Sequence, residues 1–149
     1  MSAPQHVVVL GGYAPSLLLF RAPLIAGLVA RGHRVTAMAA DGNDAIAARL
    51  AQLGAGFEPI PLARTSTHPG DDLRTLAHLR ARFAALAPDV VLAYTAKPVI
   101  WGLWAARLGC RARRFALITG LGRTFTEVTS PKQRALRRLV ASLYRSALT

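Results

Sequence analysis

The chain contains 149 residues, and 52 % of them are hydrophobic, which excludes a disordered polypeptide and predicts one domain with a core of useful size. Its 19 Lys and Arg residues outnumber 7 Asp and Glu residues, and the net charge of +12 favours anionic partners such as phosphates, nucleic acid or an acidic membrane face. The single cysteine, Cys110, excludes an intrachain disulfide bond and predicts a reducing, cytoplasmic location.

The amino-terminal part of the chain predicts a buried strand, a glycine turn and a helix. Residues 6–10 form a short apolar run, Gly11 and Gly12 predict a tight turn, and Ser16 is placed to cap a helix over residues 17–31. The turn interrupts the apolar start well before the ~20 residues that a membrane helix needs. The sequence therefore predicts neither a membrane-spanning segment nor a cleavable signal peptide here.

The pattern continues with a second strand, a second helix and a third strand, over residues 33–40, 43–54 and 56–62. Asn43 or Asp44 is the predicted cap of this helix. Pro59 and Pro61 place the third strand at an edge of the sheet, because proline cannot donate a hydrogen bond to a neighbouring strand.

The second half of the chain repeats this alternation. A third helix, a buried strand, a fourth helix and a fifth strand are predicted over residues 71–86, 89–94, 98–109 and 114–119. Asp71 or Asp72 is expected to cap the third helix, and Pro98 takes the first turn of the fourth. Ser130 and Gln133 have the spacing of a capping box, which predicts a last helix that runs to residue 149.

Strands and helices that alternate in this way predict an α/β fold, namely a Rossmann-like, doubly wound parallel sheet with helices on both faces. Right-handed crossovers favour the strand order 3-2-1-4-5. The switch point of this sheet lies between the first and fourth strands. The loops that follow these strands, at Gly11-Gly12 and at residues 95–97, are therefore expected to face each other across a ligand-binding edge.

The glycine turn is the first candidate site. The amides of Gly11 and Gly12 could approach a phosphate at the start of the first helix, although a tight turn needs glycine for its own geometry. The turn lacks the third glycine of the dinucleotide fingerprint, which disfavours a nicotinamide-dependent oxidoreductase. Asp41 ends the second strand and is therefore interpreted as a cap or turn residue rather than a ribose ligand.

Three further polar residues are candidates for the cleft. Lys97 is one of two lysines in an arginine-rich chain and lies with Thr95 at the end of the fourth strand, so it is predicted to contact a phosphate or a polar substrate group. The alternative is a solvated cation at a helix start. Arg21 lies in an otherwise apolar helix, and its side chain must either reach the cleft or extend to solvent.

Two later segments carry further candidates. The loop after the fifth strand contains Thr119, Gly120, Gly122 and Arg123, and it forms either a third wall of the site or an ordinary loop. The last helix is amphipathic, with an apolar stripe opposite or beside Arg134, Arg137, Arg138 and Arg145. These arginines indicate either a solvated face on a core-packed helix or a contact with anionic lipid head groups.

Several chemical signatures are missing from the sequence. Its four histidines have no cysteine or acidic companions at metal-ligand spacing, so no metal ion is predicted. It also lacks a nucleophile elbow, a P-loop and a pair of acids for hydrolysis. Non-specific nucleic-acid binding through the net charge is an alternative that no motif supports.

Five stretches form a set, over residues 17–25, 32–36, 57–62, 88–102 and 118–126. The most specific pair is Pro-Asp-Val-Val-Leu-Ala-Tyr-Thr-Ala-Lys-Pro-Val-Ile-Trp-Gly and Ile-Thr-Gly-Leu-Gly-Arg-Thr-Phe-Thr. The set resembles the N-terminal domain of the family 4 glycosyltransferases, which are retaining, two-domain GT-B enzymes. The most similar subgroup comprises bacterial sugar transferases of the capsule, O-antigen and pilin-glycan type.

The resemblance implies that a sugar moves from a nucleotide-sugar to a polyprenyl-diphosphate-linked or polysaccharide acceptor, without a metal ion. It implies a cytoplasmic protein that associates with the inner face of the cell membrane. It also implies that Gly11 and Gly12 approach the donor diphosphate, while Thr95, Lys97 and the loop 120–123 border the acceptor side of the cleft.

The resemblance further implies a donor-binding, C-terminal domain beyond residues 1–149, so the chain alone is expected to be inactive. It identifies no catalytic residue in this chain. The alternative is a non-catalytic Rossmann-like module that docks on an anionic membrane or on a partner domain.

Overall fold

The computed structural model describes residues 3–119 and 130–149. Its strands are β1 (His6–Leu10), β2 (Arg34–Ala39), β3 (Gly56–Pro59), β4 (Val90–Tyr94) and β5 (Arg113–Leu117). They form one parallel sheet in the order β3-β2-β1-β4-β5, which confirms the predicted order and the predicted edge position of the third strand. The switch point therefore lies between β1 and β4.

The described helices are α1 (Ala14–Phe20), α2 (Ala22–Ala30), α3 (Asp44–Gln52), α4 (Pro69–Leu86), α5 (Leu103–Gly109) and α6 (Pro131–Leu148). A π-helical turn, Pro98–Gly102, leads into α5. One core joins α1, α2 and α3 to one face of the sheet, and a second joins α4, α5 and α6 to the other. β1 contributes to both cores, because successive side chains of a strand point to opposite faces.

The first helix differs from its prediction. The chain forms two helices instead of one over residues 17–31, and they meet at Arg21. Pro23 explains the break, because it lacks an N–H and its ring clashes with the carbonyl group four residues earlier. Ser16 does not cap a helix, since α1 already begins at Ala14 and Ser16 donates to the carbonyl of Tyr13.

Of the other predicted helix caps, two are confirmed and one is wrong. Asn43 caps α3 by accepting from the amide of Ile46, and the capping box at the start of α6 is present. The cap of α4 is His68, whose Nδ1 accepts from the Gly70 amide, so the prediction that Asp71 or Asp72 caps this helix was wrong.

The third and fifth strands end earlier than predicted, and the sheet is open at β5. β3 ends at Pro59 rather than at residue 62, and β5 ends at Leu117 rather than at residue 119. Phe115 and Leu117 on β5 are exposed on the side of the sheet that α1 and α2 cover elsewhere. The sheet therefore presents an open apolar face at β5.

Candidate functional site

A cavity of about 560 Å³ lies at the carboxyl edge of the sheet, where β1 and β4 end at the switch point. The loop after β3 and residue 119 complete its wall. Its side chains include the aromatic rings of Tyr13, Phe20 and Tyr94 and the cations Arg21, Arg64 and Lys97. Such a cavity, with apolar walls and a few placed charges, suits a small ligand or one end of a larger one.

The glycine turn lies directly opposite the loop after β4. A Cβ atom added to Gly12 would lie 3.3 Å from Thr95 Oγ1 and 3.6 Å from Pro98 Cγ, so the two loops face each other as predicted. The Gly11 amide donates to the carbonyl of Met38 at 2.9 Å. This amide is therefore engaged within the fold, and the predicted diphosphate contact of the two glycines stays a prediction.

A hydroxyl pair lies below the glycine turn. The hydroxyl oxygens of Tyr94 and Ser16 are 2.7 Å apart, and the Ser16 hydroxyl donates its hydrogen bond to the Tyr13 carbonyl. Tyr94 therefore donates to Ser16. Burial raises the pKa of the Tyr94 phenol, while the charge of Arg21 acts in the opposite direction. The phenol is thus neutral near pH 7 and serves as a fixed donor.

Arg21 reaches the cavity, as one of the two sequence alternatives required. The helix break places it at the junction of α1 and α2, and its guanidinium carbon lies 4.6 Å from the centroid of the Tyr94 ring. Its Nη1 donates to the Phe20 carbonyl at 3.3 Å. Its Nε atom is buried and has no hydrogen-bond partner among the described residues.

Lys97 also lines the cavity, but its ammonium group is fully engaged by the protein. Nζ donates to the carbonyls of Ala63 at 2.7 Å and Ser66 at 2.5 Å, and it pairs with Asp72 at 3.0 Å. These contacts use all three of its donors. Lys97 therefore ties the loop after β3 to α4, and a direct contact with substrate, as predicted from the sequence, would have to replace one of these bonds.

Of the remaining predicted cleft residues, the structure describes Thr95 and Thr119. Thr95 lies beside Gly12 and has a φ angle of 66°, which is unusual for a β-branched residue. Thr119 is exposed and contributes to the cavity wall. Gly120, Gly122 and Arg123 lie outside the described residues, so their predicted role stays a prediction.

Arg64 and Tyr13 are among the cavity residues that the sequence analysis did not identify. Arg64 stacks on Tyr13, with 4.3 Å from its guanidinium carbon to the ring centroid, and its Nε donates to Asp41 at 2.9 Å. Asp41 is thus an ion-pair partner at the end of β2. Arg64 could have been identified from the sequence, because it is the one Lys or Arg in the polar loop that follows the third strand. This loop lies at the carboxyl edge of the sheet.

The predicted lipid-facing arginines lie on α6 and do not line the cavity. Arg134, Arg137, Arg138 and Arg145 are exposed. The prediction that the apolar stripe of this helix packs on the core holds for its second half, where Ala147 is buried. In the first half, Leu136 is 49 % exposed and Leu139 is 57 % exposed.

Residues 3–119 and 130–149 contain no cluster of three or more His, Cys, Asp or Glu side chains that could hold a metal ion. Within these ranges, no helix has both the length and the apolar character needed to cross a membrane. The expectation of a metal-free reaction stays a prediction.

A family model described as "Glycosyl transferase 4-like domain" matches residues 20–149. Among solved structures, the glycotransferase of kitacinnamycin is similar, with 25 % sequence identity, a TM-score of 0.61, and coverage of 97 % of this chain and 39 % of that chain. MurG of Acinetobacter baumannii has 17 % identity and a TM-score of 0.59 over 89 % of this chain and 38 % of its own.

A UDP-N-acetylglucosamine 2-epimerase is also similar, with 18 % identity, a TM-score of 0.64, and coverage of 95 % of this chain and 40 % of that chain. At this level of identity, the likeness to MurG and to the epimerase shows the fold alone. The chain spans about two fifths of the length of these three structures. No curated protein matches the chain at a significant level.

Proposed function

Because the chain belongs to the glycosyl transferase 4-like domain family and has the Rossmann-like fold of one half of a GT-B protein, we propose that it is the acceptor-side domain of a retaining glycosyltransferase. The enzyme would move a sugar from a nucleotide-sugar to a lipid-linked or polysaccharide acceptor. This chain alone would transfer little, because the donor site needs a second domain.

The cavity at the switch point is the observation that supports this proposal. It combines the Gly12 turn, where backbone lies close to any ligand, with cations on two other walls. Fixed donors around a phosphate would stabilise the charge that develops as a nucleoside diphosphate leaves. Contacts with the acceptor would orient its hydroxyl group for attack.

The apolar rim fits an acceptor that carries a lipid. Phe20 lines the cavity, and it and Leu19 are largely exposed at the end of α1. Exposed apolar side chains next to a charged cavity suit an amphiphilic molecule whose polar end enters the site. The prenyl chain would then lie along this rim while the sugar and phosphates occupy the cavity.

A transfer assay tests the proposal. Labelled nucleotide-sugars and prenyl-diphosphate-linked acceptors are offered to this chain and, in parallel, to the longest polypeptide that its gene encodes. We expect transfer by the longer polypeptide, with the anomeric configuration of the donor kept in the product, as NMR would show. Inversion would contradict the retaining mechanism. Epimerisation of UDP-N-acetylglucosamine without transfer to any acceptor would contradict the transferase assignment.

The first half of α6 supports a second candidate function, docking on an anionic membrane. Leu136 and Leu139 are exposed beside a strongly basic helix face, which is a pattern of helices that bind at membrane interfaces. We expect the chain to sediment with vesicles that contain phosphatidylglycerol and not with neutral vesicles. Replacing both leucines by serine should abolish sedimentation, whereas Arg49→Gln on α3 should not. Equal sedimentation of the leucine variant would contradict this function.

A further inference from the structure

The three cations of the cavity have unequal surroundings. Lys97 pairs with Asp72, and Arg64 pairs with Asp41, so each of these charges is balanced by a carboxylate. Among the described residues, Arg21 pairs with no acidic side chain. Its guanidinium is therefore the unbalanced positive charge of the cavity, in a wall that is otherwise largely apolar.

The hydrogen bonds of Arg21 are also incomplete. A guanidinium has five N–H donors, and the described contacts engage one of them, on the Phe20 carbonyl. The buried Nε atom has no partner in the described part of the chain. Leaving buried donors of a charged group unpaired costs free energy, so a ligand that brings acceptor oxygens to this site would be favoured.

Other contacts hold the guanidinium in place, although its Nε donor has no partner among the described residues. It stacks on the ring of Tyr94, and the Tyr94 hydroxyl is fixed by Ser16. The helix break at Pro23 sets the direction in which the side chain leaves the backbone. A cation that is fixed before the ligand arrives loses little side-chain entropy on binding.

We propose that Arg21 binds a phosphoryl group of the ligand and that Tyr94 and Ser16 are its positioning residues. The planar fork of arginine presents two parallel donors to two oxygens of a phosphate, which a lysine cannot do. This assignment rests on the proposed function for the identity of the ligand, because both the nucleotide-sugar and the prenyl-diphosphate-linked acceptor carry a diphosphate. Lys97, by contrast, is a structural residue of the cavity wall.

Calorimetric titration with pyrophosphate tests the assignment. Arg21→Gln should weaken binding by at least about tenfold, the effect of losing a charge-assisted hydrogen-bonded pair. Arg21→Lys keeps the charge but loses the fork, so its affinity should lie between those of the wild type and Arg21→Gln. Arg49→Gln changes the net charge equally, at an exposed position on α3, and should bind like the wild type. Thermal unfolding of each variant reports whether it is folded.

Two results would overturn the proposal: equal affinity of Arg21→Gln and the wild type, or no binding of pyrophosphate by the wild type at millimolar concentration. The positioning role predicts that Tyr94→Phe, which keeps the ring and loses the bond to Ser16, weakens pyrophosphate binding less than Arg21→Gln does. Equal or greater weakening by Tyr94→Phe would contradict that role.

Parallel titrations with UDP and farnesyl diphosphate separate the two sources of the diphosphate. Whichever of them loses affinity with Arg21→Gln identifies the donor or the acceptor as the ligand of Arg21. Failure of the transfer assay with intact pyrophosphate binding would reject the proposed enzyme and keep the anion site. Transfer that is unaffected by Arg21→Gln would keep the proposed enzyme and reject the anion site.

Discussion

The ring of Tyr94 occupies the place where a side chain at residue 11 would begin. A Cβ atom added to Gly11 would lie 2.5 Å from Tyr94 Cζ, which is much closer than atoms in folded proteins approach. The lack of a side chain at Gly11 thus makes room for the phenol that Ser16 and Arg21 contact. The glycine turn is needed for packing as well as for access to the cavity.

Gly11→Ala is therefore expected to displace Tyr94 and to lower the free energy of unfolding by about 1–3 kcal/mol, the usual cost of overpacking a core. It should also weaken pyrophosphate binding, because the support of Arg21 moves with the ring. Urea denaturation measures the first effect and calorimetry the second.

Gly27→Ala is the matched control, because no atom other than those of its chain neighbours and of its own helix backbone lies within 4 Å of a Cβ added at this exposed position in α2. It should stabilise the domain by about 0.5–1 kcal/mol, since alanine is a better helix former than glycine. An unfolding midpoint of Gly11→Ala equal to that of the wild type would show that Tyr94 can move without cost.

Lys97→Met should release the loop after β3. The substitution removes three donated hydrogen bonds and leaves the partly buried Asp72 without its ion pair. We expect faster amide hydrogen exchange at residues 64–67 and a stability loss of about 1–3 kcal/mol. Lys132→Met, at the other and exposed lysine, should change neither. Unchanged exchange in the loop of Lys97→Met would contradict the structural role of Lys97.

The order of the sheet could be predicted from the sequence because its signals are local. Apolar runs, glycine and proline each mark a strand or a turn within a few residues. The hydrogen bonds of Lys97 could not be predicted in this way, since two of its partners are the backbone carbonyls of Ala63 and Ser66, more than 30 residues earlier. A backbone carbonyl carries no side-chain signature.

The break between α1 and α2 is a different case, because its cause, Pro23, is visible in the sequence. Pro23 lies in the middle of the predicted helix 17–31, but the apolar pattern on both sides outweighed it. The cap of α4 was mistaken because Asp71 and Asp72 are better capping residues than His68. The structure uses these aspartates elsewhere, one with Ser66 and the other with Lys97.

The stability of the domain should fall in mildly acidic solution because of His6. Its imidazole is buried next to Thr36, and burial, together with the charge of Arg34, lowers its pKa from the ordinary value of 6.5, against smaller opposing effects that include Asp89 and Glu58. The folded chain then binds this proton less readily than the unfolded chain does. The stabilisation is complete above pH 6.5 and is lost as the pH falls through the lower pKa of the folded state.

A comparison with His6→Gln isolates this effect. The free energy of unfolding of the wild type should decrease relative to that of the variant as the pH is lowered below about 6.5. Contributions of the other histidines and of the acids are common to both proteins and cancel in the difference. Parallel pH profiles for the two proteins would show that His6 protonates equally in both states.

Thr95 stores backbone strain at the cavity. Its φ angle of 66° lies in the left-handed region, which costs a β-branched residue on the order of 1–3 kcal/mol. Thr95→Asn should therefore stabilise the domain by about 1 kcal/mol, because asparagine tolerates this conformation. Ala87, at the end of α4 and away from the cavity, has a similar φ angle of 45°. Ala87→Asn should therefore stabilise the domain as well.

The two asparagine variants should differ in ligand binding. The Thr95 hydroxyl lies 3.3 Å from the place of a Cβ at Gly12, so the longer asparagine side chain enters the gap between the two loops. Thr95→Asn should weaken pyrophosphate binding while Ala87→Asn leaves it unchanged, and calorimetry with both variants measures this. If both bind pyrophosphate like the wild type, the gap between Gly12 and Thr95 is not part of the phosphate site, and the strain at Thr95 serves the fold alone.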